Sequence, residues 1–204
     1  YTATENPRDS FIAIMWCGNA DANCPFIPNA AKRFAVTFDD PKVSDDTPLE
    51  TATYDRRLLE IGSHQGNTTR IYSECFNKVK AVERDVVNFE KTKENCSDVD
   101  NVVFIKADVY DNSFKIPNAD VVHIDAGHTY GEVIYDIDRF AKSLDNPTFI
   151  FDDYGHEGRT VRDAINTKLS DGTIKLVTYI GEDKGFVAAN NKTFIGREGV
   201  VCSV

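Results

Sequence analysis

Positive charge is scarce in this 204-residue chain: 23 Lys and Arg stand against 33 Asp and Glu, a formal net charge of -10 with a pI near 4.8. A partner gripped through its phosphates needs clustered Lys and Arg, so neither nucleic acid nor an anionic membrane is an expected partner. Long apolar runs are missing as well. The longest, Phe11 to Cys17, falls far short of the ~18 residues that cross a bilayer. Paired cysteines are also lacking: Cys17, Cys24, Cys75, Cys96 and Cys202 are odd in number and widely spread, with no C-x-x-C pair. That pattern signals neither a disulfide framework nor a zinc site, and reduced thiols in a cytoplasmic setting are expected. No methionine precedes Tyr1 and no signal-peptide pattern follows it, so the expectation is a domain belonging to a larger multidomain chain.

What is present is the alternation of an α/β domain. From about residue 56, short β-branched runs alternate with helix-length amphipathic stretches, as in a doubly wound, mostly parallel sheet with helices on both faces. Strands are expected at 57–61, 78–82, 102–106, 120–124, 148–152, 174–180 and 185–189, enough for one seven-stranded Rossmann-like sheet. Helices are expected over 68–76, 85–96, 130–144 and 159–169. Only GEDK separates the last two strands, too short for a helical crossover, so an antiparallel C-terminal hairpin is predicted. Residues 1–54, rich in Asn, Asp, Pro and Thr, read as an irregular N-terminal cap suited to acceptor binding, with the main domain over 55–204.

Residues 57–69, RLLEIGSHQGNTT, run from a strand into a glycine-punctuated turn. The dinucleotide fingerprint would place glycines at 62, 64 and 67, yet only Gly62 is there, with His64 and Asn67 at the other two positions. A pyrophosphate needs close backbone approach at the second glycine and is repelled by a carboxylate such as Glu60 at the strand end. The turn therefore suits a ligand without phosphate. S-adenosylmethionine is one, joining an adenosine to a cationic sulfonium and an amino-acid tail. Glu83, ending the second strand in KAVERD, can accept hydrogen bonds from both ribose hydroxyls, and Asp108, ending the third, lies within reach of the adenine amine.

With these residues in view, the chain resembles the class I S-adenosylmethionine-dependent methyltransferases over roughly residues 56 to 190. The E-x-G-x-x-x-G form of EIGSHQG and the acid of AVERD carry the likeness. It implies a cofactor site made from Glu60, Gly62, Ser63, Gly66, Thr68, Glu83 and Asp108, with Gly62, Ser63 and Gly66 toward the methionine part.

Further on, VVHIDAGHTYGEVIYDI ends a fourth strand at Asp125, and TFIFDDYGHEG ends a fifth at Asp152 and Asp153. Neighbouring strands lie ~4.8 Å apart, so acids at their adjoining ends can share a divalent cation. Oxygen ligands favour Mg²⁺, Mn²⁺ or Ca²⁺ over zinc, and the expected metal set is Asp125, Asp152 and Asp153. A metal orients two vicinal hydroxyls and acidifies the one it touches, leaving a side chain to take the proton. His128 is the preferred base, with Asp125 as the alternative; His156 is a more distant candidate, and His64 and His123 read as structural.

The pair IDAGHTY and FDDYG resembles the metal-dependent, macrocin-type sugar O-methyltransferases, although Ala126 and Gly127 stand where that branch commonly has Gly-Asp. This resemblance implies a sugar hydroxyl as acceptor, on a small molecule or glycan, and Mg²⁺ or Mn²⁺ as cofactor. A likeness to the methyltransferase domains of chlorella-virus multidomain glycan-synthesis proteins points further, to a deoxysugar such as rhamnose. Two other readings stay open: a catechol or phenol acceptor, and a non-catalytic cofactor-binding interaction domain.

Overall fold

A computed structural model describes residues 11–14, 33–36 and 54–204, apart from 157, 182 and 188–192. Among the described residues eleven strands and four helices follow one another. They are β1 (Phe11–Ile14), β2 (Arg33–Val36), β3 (Tyr54–Ile61), α1 (Asn67–Cys75), β4 (Phe76–Glu83), α2 (Val86–Asn95), β5 (Val102–Lys106) and β6 (Val121–Ile124). There follow α3 (Tyr130–Ser143), β7 (Thr148–Phe151), α4 (Thr160–Ser170), β8 (Lys175–Ile180), β9 (Phe186–Val187), β10 (Thr193–Phe194) and β11 (Gly199–Ser203). Of the expected cap, the described part is the antiparallel pair β1 and β2; the remainder lies outside the described residues.

The main sheet has seven strands in the order β5-β4-β3-β6-β7-β11-β8. Strands β5, β4, β3, β6 and β7 are mutually parallel, and β11 runs antiparallel to both β7 and β8. The chain winds outward from β3 to β5, then returns to the other side of β3 for β6 and β7. Strand order therefore reverses between β3 and β6, and ligands of open α/β sheets bind beyond the carboxyl ends at such a point.

Alternation along the central strands divides the core. Leu59, Ile61, Val122, Ile124, Phe149, Phe151, Val200 and Cys202 pack in one cluster with Val133, Ile137 and Phe140 of α3 and Val161, Ala164 and Ile165 of α4. Leu58, Val79, Val121, Ile150 and Val201 pack in the other with Tyr72 and Cys75 of α1. Among the described residues no helix is long and apolar enough to cross a membrane. The described cysteines, Cys75, Cys96 and Cys202, are buried.

The hairpin partner expected at 185–189 is corrected by the structure. Strand β9 pairs with β10 in a separate ribbon, and the antiparallel strand of the main sheet is β11. Burial explains the choice: Val200, Val201 and Cys202 are apolar toward both faces, as an interior strand requires, whereas Val187 is 60 % exposed. The ribbon instead docks on the loop after β7, where Ile195 N–H donates to Gly155 O at 2.8 Å.

One polar group sits inside the second cluster. Glu60 on β3 is paired in register with His123 on β6, and the His123 ring meets Tyr72 edge-on at 5.3 Å. Glu60 is fully buried; its Oε2 accepts from Thr69 Oγ1 at 2.5 Å, while Oε1 has no partner among the described residues. Burial pushes the Glu60 carboxyl up to about 8 against the opposing Thr69 hydrogen bond, and pushes the His123 imidazole down. A carboxyl whose folded pKa is raised contributes its full stability below its ordinary value and loses it as pH climbs through the folded one. Stability should therefore fall between about pH 4.5 and 8 on account of Glu60. Urea unfolding of wild type and Glu60→Gln at pH 5, 7 and 9 checks this: the variant gains on wild type as pH rises, and parallel pH curves would refute the assignment.

Candidate active site

The turn after β3 is built around backbone contacts. Gly62 has φ +88°, and a Cβ there would lie 2.0 Å from the carbonyl oxygen of Asp125, so only glycine lets this turn reach the end of β6. The amides of Gly62 and Ser63 both donate to Val82 O, at 3.0 and 3.1 Å, tying the turn to β4 on its other side. Gly66 N–H donates to Ser63 O at 2.8 Å, and Gly66 is the N-cap of α1. That helix has neither a side-chain cap nor an acidic residue in its first turn. Its amino end is thus suited to an external carboxylate, which the helix dipole and free amides both favour. Thr68 is the second residue of α1 and is half-buried.

Glu83 stands at the end of β4, nearly buried. Its Oε2 accepts from His64 N at 2.8 Å and its Oε1 from the Asp85 amide at 2.7 Å. Each oxygen keeps a second lone pair, the requirement for accepting two ribose hydroxyls. Asp85 in turn caps α2, its Oδ1 accepting from Val87 N and Asn88 N, both at 2.9 Å. Asp108 follows β5, and its Oδ1 accepts from Tyr110 N at 3.0 Å in an Asx turn. Ser63 is buried, with Oγ 3.4 Å from Thr92 Oγ1, and the Thr92 hydroxyl donates to His64 O at 2.6 Å. Ser63 and Glu60 therefore lie beneath the turn and support it, while Gly62, Gly66 and Glu83 form its rim. Thr69 and Thr92 are the supports that pattern reading missed; nothing in their spacing sets them apart from ordinary helical threonines.

Past β6 and β7 the structure gathers a second group. His128 Nε2 lies 3.2 Å from Asp125 Oδ1 and 3.2 Å from Asp153 Oδ2. Asp125, His128 and Asp153 each present one ligand-type atom, all within 4.8 Å of one another. Asp153 is almost buried and His128 is 46 % exposed at the side chain, so the group opens outward through the histidine. Thr160 Oγ1 donates to His128 O at 2.5 Å, and Thr129 with Glu132 forms a capping box that starts α3 directly after His128. The T-x-x-E spacing was the legible sign that the chain is fixed there.

Of the expected aspartates, Asp125 and Asp153 fall in this group with His128, and Asp152 stands next to it in the chain. Register puts Ile124 opposite Phe151, so Asp125 and Asp152 both directly follow paired strand ends. The chain then turns sharply: Asp153 adopts φ +56°, and its amide donates to Asp152 Oδ1 at 2.8 Å. That left-handed residue carries the Asp153 carboxylate to His128. His156 is occupied elsewhere, its Nδ1 accepting from Gly158 N at 3.2 Å and its ring meeting Phe194 edge-on.

A family model described as a methyltransferase domain matches residues 59–154, the stretch holding both groups. Among solved structures, precorrin-6y C5,15-methyltransferase of Geobacter metallireducens is 15 % identical with a TM-score of 0.56, over 76 % of this chain and 82 % of that one. A Streptococcus mutans protein assigned as a methyltransferase, crystallised with SAH, is 14 % identical with a TM-score of 0.52, over 74 % and 89 %. A tRNA (m1A58) methyltransferase of Aquifex aeolicus is 14 % identical with a TM-score of 0.51, over 72 % and 61 %. No curated protein matches the chain. The segment from Leu59 to Tyr154 thus matches a methyltransferase domain model, and the sheet shares its fold with these solved structures.

Proposed function

We propose that the protein transfers the methyl group of S-adenosylmethionine to a hydroxyl oxygen of a sugar, on a small molecule or glycan, with a divalent cation assisting. The observation that carries the reading is the grouping of Asp125, His128 and Asp153 beside the cofactor turn. A methyltransferase acting on a carbon or a basic nitrogen has no evident use for such a group. The net charge of -10 supports an acceptor other than nucleic acid.

The residues present fit the cofactor. The uncapped amino end of α1 favours the carboxylate of an amino-acid tail, Glu83 offers free lone pairs to a ribose, and acids near the turn favour a sulfonium over a pyrophosphate. The cofactor supplies an electrophilic methyl carbon: the acceptor oxygen forms a bond to it as the carbon–sulfur bond breaks, and the thioether leaves. The residues fit a cation too, since two carboxylate oxygens and one imidazole nitrogen suit Mn²⁺ or Mg²⁺. Such an ion supplies positive charge that orients neighbouring hydroxyls and eases loss of a proton. In this reading Asp153 and His128 hold the ion with one oxygen of Asp125. His128 thus serves as a ligand in place of Asp152, and the second oxygen of Asp125 takes the acceptor's proton. The enzyme is expected in the cytoplasm, where its cofactor is made available.

Incubation of a panel of sugar glycosides, rhamnosides and catechols with methyl-labelled cofactor, with Mg²⁺ or with EDTA, tests the function by mass spectrometry. Labelled glycoside formed only with the cation is expected; labelled catechol, or transfer undiminished by EDTA, contradicts it. The role of His128 is separable by titrating Mn²⁺ against turnover of His128→Ala. A ligand's loss is recovered substantially at high Mn²⁺, whereas a deficit that no concentration restores makes His128 the base.

A further inference from the structure

Helix α3 carries a polar ridge at Glu132, Asp136 and Arg139, whose spacing of four and three places them along one face. Glu132 Oε2 accepts from Thr129 N at 3.1 Å and from Thr129 Oγ1 at 2.6 Å, holding the end of the loop that bears His128. Arg139 donates to Val109 O and to Phe114 O, the latter at 2.7 Å, and its guanidinium lies 5.6 Å from the Phe114 ring. The ridge thereby straps the segment after β5, which carries Asp108, to the same helix. Asp136 lies between them, fully buried, with Oδ2 accepting from Tyr110 Oη at 3.1 Å and Oδ1 unpartnered among the described residues.

Tyr110 joins the two loops. Its hydroxyl lies against Gly127, between Asp125 and His128 in the chain. A Cβ at Gly127 would stand 2.3 Å from Tyr110 Oη and 2.6 Å from Glu132 Cδ, so the phenol and the ridge fill the space under this loop. Meanwhile the Tyr110 amide donates to Asp108. Burying a carboxyl with an unpaired oxygen costs stability, and burial pushes Asp136 up to about 7. Among the described residues, its side-chain hydrogen bond is the one from the Tyr110 hydroxyl.

We propose that Tyr110, seated on Asp136, is a positioning residue that holds the 125–129 loop so that Asp125 and His128 face Asp153. The inference rests on the proposed cation site for its effect on metal affinity, and on the packing of the Tyr110 hydroxyl against Gly127 for its effect on the loop.

The test compares the full chain with Tyr110→Phe, Asp136→Asn and Asp136→Ala. Three measurements are made: Mn²⁺ affinity by electron paramagnetic resonance of the free ion, S-adenosylmethionine affinity by calorimetry, and hydrogen exchange at the Gly127 amide. Tyr110→Phe removes one oxygen and keeps the ring, so the packing persists. It is expected to weaken Mn²⁺ binding about tenfold, as loss of an outer contact does at metal sites. Gly127 exchange should quicken to a similar degree, while cofactor affinity stays within about twofold. Asp136→Asn, which retains an acceptor for the hydroxyl, should bind Mn²⁺ like wild type, and Asp136→Ala should resemble Tyr110→Phe. Unchanged Gly127 exchange in Tyr110→Phe overturns the proposal. Quickened exchange with wild-type Mn²⁺ affinity overturns its link to the metal group. Wild-type protein that binds no Mn²⁺ counts against the cation reading, and the exchange result still decides the positioning claim.

Discussion

The whole site depends on there being no side chain at Gly62. With a Cβ in place, the turn after β3 would meet the Asp125 carbonyl at 2.0 Å, and the two would have to part. Instead the β3 turn and the β6 loop touch at the point where strand order reverses, while the same turn is tied to β4 through Val82 O. The turn and the acid group are thus held side by side. In the proposed reading, transfer needs the acceptor oxygen in line with the carbon–sulfur bond, so this contact would serve the chemistry as well as the fold.

Electrostatics divides the acids by depth. Glu60 lies under the turn with a carboxyl that burial holds protonated near neutral pH, and it serves α1 through Thr69. Glu83 lies at the rim, where two backbone amides donate to its oxygens. Asp125 and Asp153 face a common imidazole nitrogen, each 3.2 Å from it. In the proposed reading each acid has a physical reason for its place: support beneath, recognition at the edge, and the reacting centre beyond β6 and β7.

Much of this was legible from pattern. The runs at β6 and β7 are buried along their whole length, as in strands covered on both faces, and acids closing them fall at the carboxyl edge by necessity. Other features are not local. The antiparallel strand of the main sheet lies at GVVCS and not at 185–189, because a tail strand inserted between β7 and β8 has no local signature; only its burial on both faces marks it. The meeting of His128 with Asp125 and Asp153 turns on one left-handed residue, Asp153, which no propensity of the FDDYG stretch foretells. Likewise Tyr110 and Asp136 meet across 26 positions of sequence, so their contact belongs to tertiary structure alone.

The account's central claim is that one cleft holds both S-adenosylmethionine and a divalent cation, the latter between Asp125, His128 and Asp153. Anomalous diffraction from crystals grown with SAH and Mn²⁺ tests it most directly. A manganese peak within bonding distance of Asp125, His128 and Asp153, with the nucleoside hydroxyls on Glu83, is the predicted result. A peak on Asp152 without His128, or no peak while SAH occupies the turn, would contradict it.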